Sequence, residues 1–227
     1  MTSARQVRPI FEALKINHPS LVQIGSRFAV KDPVHHIALG ILIERTSDPN
    51  CCSPRFIMTA LYLAGLPAAI AIGTYFEYLS RSPTSAEKFW LWSDPAMVPE
   101  AIAVLDSVAL PKLALYGTPE SYATLPPRPH WVYDEPHEDR MIVHIAAGNL
   151  DAARAIWHER KPWHTNKTFP PGSRAHRWQT QLDAVAEPLM AGDRLALAKI
   201  LHDWEAANVR GTELEPYWEP TPFPLER

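Results

Sequence analysis

Proline sets the narrowest limits on what this chain can fold into. Twenty-three prolines occur in 227 residues, about twice the usual share, and each fixes its own φ and withdraws a backbone donor. Two clusters act as punctuation. Pro126, Pro127, Pro129 and Pro136 mark a linker, and Pro216, Pro220, Pro222 and Pro224 forbid a regular helix at the chain end. The chain is therefore expected to divide into an apolar helical bundle at 1–116, a Pro-rich linker at 117–136, helix-hairpin repeats at 137–210 and an extended tail at 211–227. The two halves are expected to pack as one body.

Between the prolines, helical signals dominate. Thr2 or Ser3 caps a segment in which Val7, Ile10, Phe11 and Leu14 recur at helical spacing before His18-Pro19 stops it. Asp32-Pro33 opens a second run that contains Ile37 and Ile41 and is apolar nearly all round. Thr84-Ser85-Ala86-Glu87 reads as a capping box for a helix carrying Phe89, Trp90 and Trp92. Asp94-Pro95 and Pro99 open another, with Ala101, Leu105 and Val108 on its inner side. Only Leu21–Val30 and Trp131–Tyr133 suggest short strands. The expected fold class is all-α, a helical bundle with tandem hairpins.

The uncharged stretch Phe56–Phe76 is about as long as a membrane span. Gly65-Leu66-Pro67 splits it into two pieces, each too short to cross, and Ser53-Pro54 caps the first. A buried helical hairpin is the favoured reading and a membrane helix the alternative. The N-terminal MTSARQVRPIFEALK mixes charged and apolar residues, unlike a secretory signal, so a cytoplasmic protein is expected. Charged residues make up 21% and the net charge is -3, which argues against direct nucleic-acid binding. The acidity lies late in the chain: residues 1–113 hold ten basic and nine acidic side chains, the remainder twelve and sixteen.

An internal echo stands out in the second half. Ala147-Gly148-Asn149-Leu150-Asp151-Ala152-Ala153 lines up with Ala191-Gly192-Asp193-Arg194-Leu195-Ala196-Leu197, 44 residues later. Each copy reads as a helix, a left-handed glycine turn and a helix capped by Asn149 or Asp193.

Catalytic and metal patterns are weak. Ten histidines show no ligand spacing: His35-His36 would diverge on a helix, and His158 and His164 have no third partner. No cofactor and no metal are expected. Cys51 and Cys52, the two cysteines, read as small buried hydrophobes, although a helix start at Ser53-Pro54 could activate a thiol. What remains is aromatic and acidic. Trp131, Tyr133, Asp134 and Glu135 in the linker, His158, Trp163 and His164 near the first repeat, and Tyr217, Trp218 and Glu219 in the tail form the candidate partner-binding set. Rings supply buried area with little entropy to lose, while carboxylates steer a basic partner. The competing reading pins these rings to the protein's own core.

With the hairpin Ala147–Ala153 and the segment Pro216-Tyr217-Trp218-Glu219-Pro220, the chain resembles the immunity proteins that bacteria encode beside polymorphic or contact-delivered toxins. The resemblance covers mainly residues 138–224. It implies a non-catalytic cytoplasmic protein that binds a cognate toxin domain and occludes its active site. A helical scaffold or adaptor is the alternative, and a hydrolase using His and carboxylates a further one.

Overall fold

The computed structural model describes residues 2–65, 74–81, 88–125, 137–165, 169–171 and 173–227. It overturns the all-α expectation, because the first half is built on a six-stranded antiparallel sheet. The chain divides into two compact units.

The first unit comprises Met1–Ala60, Ala68–Gly117 and Gly211–Glu219. It begins with helix α1 (Ala4–Asn17), whose Ser3 cap and Gln6 form a capping box and which buries Val7, Ile10, Phe11 and Leu14. Strands β1 (Leu21–Ile24), β2 (Phe28–Lys31), β3 (Ile37–Arg45), β4 (Cys51–Ala60) and β5 (Tyr75–Tyr78) follow in spatial order, and β6 (Trp90–Leu91) pairs with the start of β4. The helical reading of Ile37–Ile41 and of the run beginning at Phe56 is thus corrected to strands β3 and β4.

The physical reason is burial on both faces. Every residue of β4 and the first seven of β3 are buried, so the alternation that betrays a half-buried strand never appears. Ser53-Pro54 starts no helix; it lies inside β4. Pro54 is tolerated there because pairing on that edge passes from β5, opposite Arg55–Met58, to β6, opposite Cys51 and Cys52. Gly40 is demanded by close approach: a Cβ would collide with the Phe28 ring and sit 2.8 Å from the Ala29 carbonyl oxygen. Trp90 lies in β6 rather than a helix, while the capping box at 84–87 falls outside the described residues.

Helix α2 (Met97–Val104), a π-helical turn (Leu105–Ala109) and α3 (Leu110–Leu115) form one continuous helical run. The π turn shifts the buried face. Leu105 and Ala109 point inward, and Val108, expected on the inner side, is 38% exposed.

The second unit comprises Leu61–Pro67, Thr118–Arg210 and Pro220–Arg227. It holds α4 (Pro119–Tyr122), α5 (His137–Ala146), α6 (Leu150–Thr165), α7 (Arg174–Ala191) and α8 (Arg194–Val209). Gly148 and Gly192 have φ of 78° and 69°, and the Asn149 and Asp193 carboxamide and carboxylate oxygens accept from the Ala152 and Ala196 amides. Residues 61–65 form turns rather than a helix. Asn208 Nδ2 donates to the Leu61 and Leu63 carbonyls at 2.6 and 2.7 Å, and Gln181 Nε2 donates to that of Ala64 at 2.5 Å. Among the described residues no helix is long and apolar enough to cross a membrane.

Candidate functional site

A cleft of about 370 Å³ opens in the first unit, lined by His18, Ser20, Leu21, Lys31, Asp106, Leu110, Pro111, Leu113 and Ala114. Local rules explain why these residues meet. Pro19 ends α1, and the His18 amide donates to the Leu14 carbonyl at 2.7 Å, which leaves the imidazole just beyond the last turn. Leu21 and Lys31 face one another across the β1–β2 ladder. Asp106 is carried by the π turn, a widening of the helix that re-aims side chains and recurs at functional sites. Leu110, Leu113 and Ala114 supply the apolar wall from α3.

The polar centre is the pair His18 Nε2 and Asp106 Oδ1, which are in direct hydrogen-bonding contact. Their side chains are 35% and 36% exposed. Asp106 therefore directs its charge at His18 within the wall. Lys31 and Lys15, the basic residue in the last turn of α1, are exposed, and among the described residues no ion pair engages either. Ile16, Val108 and Leu115, each one or two residues from a lining position, are 82%, 38% and 66% exposed.

A second polar cluster is enclosed in the sheet. Arg55 is 6% exposed, lies 3.3 Å from Glu44 and sits 4.5 Å from the centre of the Phe76 ring. Burial, and then Glu44, push the Tyr78 hydroxyl upward from its ordinary range. A charge held this deeply between an acid and aromatic rings is suited to fixing strand register rather than meeting a ligand.

The expected site residues disperse. Trp131, Tyr133, Asp134 and Glu135 lie outside the described residues, as do the side chains of Trp163 and His164. His158 is exposed on α6. Tyr217, Trp218 and Glu219 come together as a strap on the first unit. Val34 and Trp218 form a parallel bridge, in which the Val34 amide donates to Tyr217 and the Glu219 amide donates to Val34, both at 2.8 Å. Tyr217 and Trp218 are half-buried, and Glu219 is exposed.

The thiols also change meaning. Cys51 and Cys52 stand on a strand instead of at a helix start, and burial pushes Cys52 up to about 12, with Cys51 as the second cause. Among the described residues no group of three or more His, Cys, Asp or Glu side chains could hold a metal ion.

The sequence reasoning missed His18, Lys31 and Asp106. His18-Pro19 carried a signal, but it was absorbed as a helix stop. No protein-family model matches the chain, and no curated protein and no solved structure shows significant similarity to it.

Proposed function

We propose that this chain is a non-catalytic protein-binding protein, and that its partner is a toxin domain it neutralises by direct contact, as immunity proteins do. The observation that carries the binding reading is the cleft whose apolar wall of Leu21, Leu110, Leu113 and Ala114 surrounds the polar groups of His18, Asp106 and Lys31. Apolar side chains around a concavity with a few convergent polar groups make the composition of a contact centre. The toxin as partner rests on the resemblance of the hairpin and tail segments.

The test is capture with the full chain as bait, followed by expression of the captured protein alone. Growth arrest relieved by co-expression supports neutralisation, and harmless expression replaces it with the scaffold reading. Ala114→Trp, which fills the cleft from an exposed position, is expected to abolish capture while the circular dichroism spectrum is unchanged. Capture at full strength by this variant would remove the cleft from the interface.

The His18–Asp106 pair also favours a second reading. A carboxylate that orients an imidazole is half of a hydrolytic apparatus, and Ser20 lines the same cleft. Ester hydrolysis lost in both His18→Ala and Ser20→Ala would establish it; turnover unaffected by either substitution would eliminate it.

A further inference from the structure

We infer that the cleft at the end of α1 recognises an aliphatic side chain with a carboxylate beside it, presented by a protein partner. This rests on the proposed binding role of the cleft and names its chemistry. It reverses the expectation that this chain supplies the acids and its partner the bases.

Size comes first. Ligand sites occupy roughly 300–1,000 Å³, and at about 370 Å³ this one lies at the small end. It has room for one or two residues of a partner rather than a folded segment. The wall formed by Leu21, Leu110, Leu113 and Ala114 offers only carbon contacts, so the portion inserted against it is apolar.

Charge then decides what accompanies the apolar group. The lining contains one carboxylate, Asp106, and it is engaged by His18 Nε2. Lys31 lines the cleft opposite Leu21 in the β1–β2 ladder, and Lys15 lies three residues before His18 on the last turn of α1. Neither lysine is in an ion pair among the described residues. With Asp106 held by His18, Lys31 is the lining charge left to meet an incoming group, and the Ser20 hydroxyl adds a donor. A carboxylate is favoured, a neutral amide is indifferent and an ammonium is repelled.

Three probes that share the leucine side chain separate these possibilities: N-acetyl-leucine, an anion; N-acetyl-leucinamide, neutral and of nearly the same shape; and leucinamide, a smaller cation. Each is titrated into the isotopically labelled full chain while the backbone amides of Leu21, Lys31, Leu110, Leu113 and Ala114 are followed. The anion is expected to bind about two- to fivefold more tightly than the neutral probe, the range of an exposed ion pair, with the cation weakest. One molar salt should reduce that preference to near unity. Lys31→Met should erase it, and Lys31→Glu should invert the order. The inference is overturned by equal or weaker binding of the anion, by a preference that survives Lys31→Met, or by the absence of shifts at the cleft with every probe. Its failure is distinguishable from failure of the binding role. If Ala114→Trp abolishes partner capture while the probes show no anion preference, the role stands and the chemistry falls. If the preference is present while Ala114→Trp captures normally, the chemistry stands and the cleft is not the partner interface.

Discussion

Among the described residues, two histidine–carboxylate pairs are chemically alike and differ in what surrounds them. His18 with Asp106 is 35% and 36% exposed; His202 with Glu226, at 2.9 Å, is 33% and 26% exposed. Partly exposed ion pairs contribute on the order of 0–1 kcal/mol, so the ionic attraction hardly separates them. The carbon around each pair does. In the second unit, the His202 ring lies 4.7 Å from that of Phe223, which is fully buried and packs edge-on against Tyr62 at 5.6 Å. Arg194 also donates to the Leu225 carbonyl at 2.9 Å. That pair is a clasp on the chain's own C-terminal segment. The His18 pair instead opens on a cleft. The lesson is that a pair's neighbours, rather than its chemistry, show whether it serves the fold or a partner.

The sharpest way to break the comparison is at Phe223. Truncation to alanine removes the ring beneath His202 and is expected to destabilise by about 3–5 kcal/mol in urea unfolding. A loss under 1 kcal/mol would mean that the tail is not anchored by side-chain burial. His202→Ala comes next, at roughly 1–2 kcal/mol, since an aromatic contact is lost along with the ion pair. His18→Ala is expected to lower stability by no more than about 1 kcal/mol while weakening partner capture; the opposite ranking of the two histidines would make the cleft pair the structural one.

The smallest effect concerns pH. Burial, and then Arg140, hold His144 below the ordinary imidazole range. Below the unfolded value of about 6.5, the unfolded chain therefore binds a proton that the folded chain resists. Stability is lost as pH falls through that window toward the depressed folded value. His144→Gln should flatten the acid limb of the stability curve, measured between pH 5 and 7, and leave the neutral limb in place. An unchanged acid limb would assign the slope to other groups.

The tail shows how far residue chemistry alone carries a functional reading. Tyr217, Trp218 and Glu219 have a hot-spot composition, yet backbone bonds to Val34 hold this stretch as a strap. Trp218→Ala is accordingly expected to cost about 1–2 kcal/mol of stability through lost packing, read as a melting shift. An unchanged melting temperature with weakened capture would return Trp218 to the interface. Which rings face a partner was illegible because the competing surface, the body of the first unit, is assembled from residues nearly two hundred positions away.

What the sequence determined by itself is whatever depends on neighbours in the chain. The apolar face of α1, its Ser3–Gln6 cap, the left-handed turns at Gly148 and Gly192, the caps at Asn149 and Asp193 and the absence of α-helix around Pro216–Pro224, where only three-residue 3₁₀ turns form, all follow from interactions within a few residues. Tertiary structure alone decided the sheet and the cleft. A strand buried on both faces has the same apolar run as a buried helix, so β3 and β4 become strands only because antiparallel partners and covering layers are available. His18 and Asp106 stand 88 residues apart, and no local rule relates them. Folding places α1 beside the π turn, and that proximity makes a site of two residues whose sequence context marks only the end of one helix and the middle of another.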